Sequence, residues 1–489
     1  MNFLNNEQMT RREFLRRSGQ LALAGTALPF ALNLAAFGEA SAFSATDYKA
    51  LVCVFLFGGN DYANTVVNYD DPSYNAYNAI RGGGAGQTAG GLALSKTSLA
   101  QTLLVPTVPL GVGIGPFTSP LQYALNPAMT GLAKLFNTGH AAVQLNVGPL
   151  VVPLTRAQYS GADRTTYPLP PKLFSHNDQQ SIWQSSQPEG STIGWGGTIG
   201  DLALSNNTNS LFTCISVSGN AVMLSGNQAT EYQISTGGAV AINGVKTPIY
   251  GSYNIESALA TLVQQPRTHA IENEYNKVTT RSIAAEAQVT AALAGVTLNT
   301  VFPTGSSLAA QLKIVARMIG AQAALGAKRQ VFFVSVGGFD MHQLLINNHG
   351  PLLGQVSDAL AAFYQATVDL GVANQVTAFT ASDFGRTLTS NGNGSDHGWG
   401  NHHFVVGGAV KGAAFYGSPP PVSVGNTSAS EDQWHVGSGR LLPTTSVDQY
   451  AATFARWFGV ADSDLSKILP NISNFGGATG YPINLGILG

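Results

Sequence analysis

The sequence predicts an α/β fold with a mostly parallel central sheet flanked by helices. Two observations carry that expectation. Three apolar runs, Leu51–Phe57, Val331–Val336 and Val376–Thr380, each lead into an acidic residue within a few positions. A helix-sized segment, Pro351–Leu370, separates the last two runs, as right-handed βαβ units require. At 489 residues the chain is long enough to bury a large core.

The chain begins with Thr10-Arg11-Arg12-Glu13-Phe14-Leu15, an apolar stretch from Leu21 to Phe37, and Ala40-Ser41-Ala42. A twin-arginine pattern, a moderately apolar segment and a small-x-small site together read as an export signal over residues 1–42. The alternative is an amphipathic N-terminal helix of the mature fold. The apolar stretch is short and interrupted by Pro29 and Asn33, which argues against a retained anchor. The expectation is a mature domain over 46–489 without a membrane span, in the periplasm or secreted, with the twin-arginine translocon as partner during export. Such export carries folded proteins, often with the cofactor already inserted.

Composition narrows the class. Only 10% of residues are charged and 56 are glycine, the mark of a loop-rich globule. A net charge of −2 and the lack of a basic stripe argue against nucleic acid as a partner. Cys53 and Cys214 are the only cysteines, too few for a cysteine-built zinc site. They could form a disulfide or remain two buried thiols.

Along the mature chain, Leu51–Phe57 is the first strand. Residues 82–91 form a glycine-rich loop, and 105–127, with five prolines, are irregular. Ala128–Phe136 reads as a helix and Ala141–Asn146 as a buried strand. Pro168, Pro170 and Pro171 make 160–172 extended, and a helical pattern then runs to about Gln184. Residues 205–250 alternate like short strands or hairpins, whereas Glu256–Leu293 and Ser306–Leu325 are helical in period. The segment 205–300 is therefore the candidate inserted cap or subdomain. Thr445–Phe458 closes the fold as a helix, with Thr445 or Ser446 as its cap and Asp448 in its first turn.

If the three runs are neighbouring parallel strands, their C-terminal ends pool carboxylates at the edge where open α/β sheets bind ligands. Asp61 follows Gly58-Gly59-Asn60 and either closes a turn or joins such a site. Asp340 and His342 flank Met341; on an extended strand end they share a side, as metal ligands or as a hydrogen-bonded turn. Asp383 is followed by Phe384-Gly385-Arg386, then by Asp396-His397 and His402-His403. Three histidines within seven residues, beside two aspartates, point to a metal or catalytic site. Arg386 is either an ion-pair partner or a clamp for a phosphate or sulfate oxygen. Ser175 precedes a helix, as an N-cap or as a nucleophile at a helix N-terminus. No Gly-x-Ser-x-Gly elbow accompanies it, so a metal-free serine hydrolase is poorly supported. His140, His269, His349 and His435 have no comparable company and read as structural or surface residues.

Taken together, Gly58-Gly59-Asn60-Asp61, Ser175-His176 with Gln179, Gly337-Gly338-Phe339-Asp340-Met341-His342, Ser382-Asp383-Phe384-Gly385-Arg386, Asp396-His397-Gly398-Trp399-Gly400 and Gly439–Tyr450 resemble the twin-arginine-exported family of unknown function numbered 1501. That family is related to the alkaline phosphatase and sulfatase superfamily. The resemblance covers nearly the whole mature chain and implies an alkaline-phosphatase-like fold with one or two divalent metal ions: zinc, manganese, magnesium or calcium. It implies one metal site from Asp340, His342 and His402 or His403. It implies a second from Asp61, Asp383 and the nucleophile, Ser175.

Two departures stand out. Phe384 breaks the Asp-His pair usual after the late strand, leaving His397 to complete a site or act as acid/base. No Cys/Ser-x-Pro-x-Arg motif occurs, which disfavours sulfatase chemistry through a modified cysteine. The expected activity is metal-dependent hydrolysis or transfer of phosphate esters, and secondarily sulfate esters, on an anionic small molecule or polymer. The alternative is a degenerate member that binds a ligand or envelope partner without turnover.

Overall fold

A computed structural model describes residues 45–82 and 91–489. The expected signal at 1–42 and residues 83–90 of the glycine-rich loop lie outside the described residues. The strands in chain order are β1 (Lys49–Leu56), β2 (Val66–Asn68), β3 (Tyr123–Leu125), β4 (Ala141–Gly148), β5 (Cys214–Ser216), β6 (Glu231–Gln233), β7 (Arg329–Val336), β8 (Val376–Ser382), β9 (Asn401–Gly407), β10 (Ala414–Tyr416) and β11 (Thr445–Ser446). The principal helices are α1 (Asp71–Ile80), α2 (Thr130–Asn137), α3 (His176–Ser185), α4 (Trp195–Ala203), α5 (Tyr253–Leu262), α6 (Ala270–Ala294), α7 (Ser307–Gly320), α8 (Leu345–Asp369) and α9 (Val447–Phe458).

The main sheet runs β10-β4-β9-β8-β1-β7-β5-β6, with β11 also pairing β4. The pairs β4–β9 and β8–β9 are antiparallel; every other pair in this sheet is parallel. The α/β class with a mostly parallel sheet is thus the observed architecture. The three apolar runs are adjacent and in register, Leu56 lying opposite Val336 on one side and Ser382 on the other. Their C-terminal ends meet at one edge. Strand β9 runs the other way, so Asn401, at its start, lies on the β8 side of the same edge.

The twofold period of β1 divides its side chains between two cores. Val52, Val54 and Leu56 join Phe332 and Val334 beneath α7 and α8, where Leu312, Val315, Leu360 and Phe363 are buried. Leu51, Cys53 and Phe55 face the opposite layer with Phe333, Trp183 of α3, Ile199 of α4, and Tyr450 and Phe454 of α9. Full burial of each such side chain contributes about 1.5–3 kcal/mol, enough for the central strands to be rigid supports. Cys53 and Cys214 are buried free thiols. They lie on strands separated by β7, about 9–10 Å apart at the usual strand spacing and beyond disulfide reach.

Several elements differ from the sequence expectation. The region 205–250 holds no hairpin in the main sheet: β5 and β6 are parallel and extend its edge, the chain crossing between them through a 3-10 turn at Val222–Leu224. The helical stretch after residue 250 divides into α5 and α6 around Pro266, whose ring disfavours helix in the residue before it. Helix α5 buries none of its residues. Helix α8 begins at Leu345 and carries Pro351 inside it; early in a helix the missing N–H costs a single backbone bond. Ser446 caps α9 through a capping box with Gln449, and Asp448 occupies the first turn. Among the described residues no helix is long and apolar enough to cross a membrane.

A candidate metal centre at the sheet edge

Gly58 and Gly59 let the loops after β1, β7 and β8 close on one another. Both have positive φ, +115° and +81°. A Cβ at Gly58 would stand 2.3 Å from the Asp340 nitrogen, and one at Gly59 would stand 2.3 Å from the Phe384 ring. Only glycine satisfies both the backbone and the space.

Asp340 lies at the centre of what gathers there. Its carboxylate is 3.5 Å from His176 Nε2, 3.2 Å from His342 Nε2 and 3.3 Å from His397 Nε2. His342 Nε2 and His397 Nε2 are 3.0 Å apart. On the far side of each ring the Nδ1 meets an acceptor. His176 Nδ1 is 2.6 Å from Asp383 Oδ2, His397 Nδ1 is 2.7 Å from the Phe174 carbonyl, and His342 Nδ1 is 3.0 Å from Asp396 Oδ1. Since a carbonyl or carboxylate oxygen only accepts, each neutral ring carries its proton on Nδ1, an assignment made from the partners. Three Nε2 lone pairs then face one carboxylate. His176 Nε2 is buried without a hydrogen-bond partner.

Asp383 is fully buried and holds His176 in place. It accepts from the Gly58 nitrogen at 3.2 Å to each oxygen and from Gln180 Nε2 at 2.8 Å. His176 and Gln180 sit four apart on α3, one above the other on the same face. The bond to Asp383, against the opposing effect of burial, raises the His176 pKa above its ordinary value. Burial lowers the pKa of His397. Burial opposes the Asp340 charge, but the hydrogen bond and positive charge of Arg386 hold its carboxyl below the usual range.

Arg386 is fully buried, and four of its five N–H groups meet acceptors in the protein. Nη1 donates to the Gly58 carbonyl at 3.0 Å and to Asp340 at 2.8 Å, while Nε donates to the Ser395 carbonyl at 3.1 Å and its hydroxyl at 3.2 Å. Nη2 also donates to the Ser395 carbonyl. It braces three loops, and its side chain, with no exposed surface, is closed to an external anion.

Asp340, His342, His397 and Asp383 are therefore brought together, with Asp383 behind His176. Asp61, His402 and His403 are not. Asp61 caps the turn Tyr62–Thr65, accepting from the Asn64 nitrogen at 2.9 Å, from Arg81 at 2.9 Å in a fully buried ion pair, and from the Ser395 hydroxyl at 2.8 Å. Its oxygens are filled by protein donors. His402 and His403 lie on opposite faces of β9 and are both buried. His402 Nδ1 accepts from the Asn146 nitrogen at 3.0 Å, and its ring meets Tyr62 edge-on. His403 packs on Trp183 and Tyr450. Burial pushes both down to about 3, so they stay neutral.

Ser175 is the N-cap residue of α3 without a capping bond, its hydroxyl donating to Asp178 at 3.0 Å. Among the described residues the acidic and imidazole groups that converge within metal-binding reach are His176, Asp340 and His397. His176 is the ligand candidate not foreseen; its pairing with Gln180 across one helical turn was the available signal.

The fold and this cluster define an α/β protein with an Asp/His centre on the open edge of a mostly parallel sheet. Residues 48–469 match the family model described as a protein of unknown function (DUF1501). The chain belongs to that family, as the motif resemblance led one to expect. No curated protein matches it. Among solved structures it is similar to Ps i-CgsB in complex with k-i-k-neocarrahexaose, at 10% identity, TM-score 0.35, covering 88% of this chain and 77% of that one. It is also similar to the lipoteichoic acid synthase LtaP from Listeria monocytogenes, at 10% identity, TM-score 0.31, covering 88% and 78%. A third is the PsFucS1 sulfatase from Pseudoalteromonas sp., at 8% identity, TM-score 0.32, covering 85% and 68%.

Proposed function

We propose that the chain is an exported, metal-dependent hydrolase or transferase of phosphate esters, with sulfate esters second, in the alkaline phosphatase and sulfatase superfamily. The observation that carries the reading is the facing of three imidazole lone pairs on the Asp340 carboxylate. Without a cation that arrangement sets lone pair against lone pair; a divalent ion turns it into a ligand set. The orphaned His176 Nε2 fits this donor chemistry.

His176, Asp340 and His397 would hold the ion, with His342 completing or exchanging at the set. Mixed nitrogen and oxygen donors suit zinc or manganese better than calcium or magnesium. A bound ion would polarise an ester oxygen and offset charge developing in the transition state. Ser175, at the helix end that also carries His176, would attack phosphorus in line, passing its proton to Asp178 as the ester P–O bond breaks on the opposite side and the departing alkoxide takes a proton from water. Water, or an acceptor alcohol, would then cleave the phosphoserine. Asp383 and Asp396 would hold the His176 and His342 rings in their tautomers. Phe384, fully buried and 4.9 Å and 4.7 Å from the His176 and His397 rings, fills the place of a further ligand and favours one ion over two.

Phe384 also supports a second reading, ligand binding without turnover. Under either reading we place residues 1–42 as the twin-arginine signal and the helices α5 and α6 within 205–300 as a cap. The deciding experiment is elemental analysis of protein purified without chelator, beside Asp340→Ala and with a phosphoester and sulfate-ester screen. About one equivalent of metal, lost in the variant and accompanied by turnover, is expected. Metal without turnover would select the binding reading. Folded wild-type protein without metal would sink the hydrolase reading and leave ligand binding without turnover.

A further inference from the structure

Arg386 is fully buried and turned to Gly58, Asp340 and Ser395, so an anionic substrate at the Asp340 centre needs another side-chain cation. Arg440 is next to it. Its Nε donates to the His397 carbonyl at 2.7 Å, and its guanidinium lies 5.4 Å from the Phe174 ring centroid. No protein partner takes Nη1 or Nη2 among the described residues. The side chain is only partly buried. One edge of the fork is thus fixed by the metal-centre loop and its face by an aromatic ring, while the outer edge stays free.

The backbone on both sides is held in unusual conformations to achieve this. Ser438, two residues before Arg440, has φ +52°, and Phe174 has φ +72°; a bulky residue in that region is a genuine outlier. Both are pinned. The Ser438 carbonyl accepts from the Leu388 nitrogen at 3.0 Å, and Tyr62 donates its hydroxyl to the Gly439 carbonyl at 2.8 Å. The Phe174 carbonyl takes His397 Nδ1. Backbone strain of this kind persists where surroundings enforce it, and it clusters at ligand-clamping sites.

We infer that Arg440 is the specificity residue of the centre, its free guanidinium edge taking two oxygens of a tetrahedral oxyanion such as the phosphoryl group of a phosphate ester. This rests on the metal-centre reading above. Arginine's planar fork matches such oxygens in pairs, which a lysine ammonium does not.

The test is calorimetric titration of the metal-loaded protein with inorganic phosphate, and separately with sulfate, for the wild type, Arg440→Lys and Arg440→Gln. Metal content and thermal unfolding are measured on the same samples. The expected result is retained metal and fold, with phosphate affinity lowered at least tenfold in Arg440→Gln and partly recovered in Arg440→Lys. A larger loss for sulfate than for phosphate would support the same residue but assign it to sulfate esters. Unchanged phosphate and sulfate binding in Arg440→Gln, with metal retained, would overturn the assignment. Wild-type protein without metal would instead overturn the reading beneath it, a distinct result because it appears before any Arg440 variant is examined.

Discussion

The Nε2 atoms of His342 and His397 stand 3.0 Å apart while the Nδ1 of each is already engaged, His342 by Asp396 and His397 by the Phe174 carbonyl. With both Nδ1 atoms so engaged, the two Nε2 atoms are what each ring turns towards the Asp340 carboxylate. Under the metal reading proposed above a cation lies beside both, and the partners behind the rings become as informative as the rings themselves.

Those partners should be measurable. Removing the acceptor behind a ligating histidine typically costs 10- to 100-fold in metal affinity. Asp383→Asn, which loosens His176, is expected to fall in that range, and Asp396→Asn near its lower end because the half-exposed Asp396 is the weaker anchor. Competition titration against a chelator of known affinity reads both. Equal affinity in wild type and Asp383→Asn would remove His176 from the ligand set.

Ser175→Ala separates attack by the chain from attack by water. With the hydroxyl gone, transfer should drop at least about a thousandfold while metal content is unchanged, as expected when the attacking nucleophile is removed. Retained turnover would assign the attack to water.

The Asp61–Arg81 pair is fully buried, and its loss should be felt in folding rather than in metal binding. Arg81→Met leaves an unpaired carboxylate in the interior, a change that typically costs about 3–5 kcal/mol. Asp61 is itself held below the ordinary carboxyl range, the charge and hydrogen bond of Arg81 outweighing burial. Urea unfolding gives the magnitude, and metal content of the folded fraction should match wild type.

Asp448 supplies a pH dependence. Burial pushes its carboxyl up to about 6 from 3.8, although it accepts from the Asn471 nitrogen at 3.0 Å. Below pH 3.8 both folded and unfolded chains hold the proton. Between 3.8 and about 6 the unfolded chain releases it first, so this residue's contribution falls as pH rises, by roughly 3 kcal/mol in all. Asp448→Asn should therefore be more stable than wild type at pH 7.5 and nearly equal at pH 4. Denaturant midpoints at the two pH values decide it.

The strand ends were legible because their signal is local: apolar runs closing on Gly-Gly and an acid can be read without knowing the fold. Asp340, His342, Asp383 and His397 follow from that pattern. His402 and His403 misled because a count of histidines does not say which way they face; in β9 they alternate, and both faces are buried. Asp61 carried the right residue at the right strand end, but its partner Arg81 returns only after α1, and no spacing rule announces a tertiary ion pair. His176 was visible yet overshadowed by the serine before it, although its i,i+4 relation to Gln180 placed both on one helical face. Arg386 and Arg440 look alike in sequence. Only burial and the partners each guanidinium meets in the fold separate a brace from a free clamp.

The two cysteines bear on how the molecule comes into being. Cys53 and Cys214 sit in the core with β7 between their strands, so the native state is held by packing and hydrogen bonds with no covalent fastening between them. Maturation then needs no thiol oxidant or disulfide shuffling, and the chain can complete its fold in a reducing cytosol. Recombinant material should likewise refold with reductant present throughout.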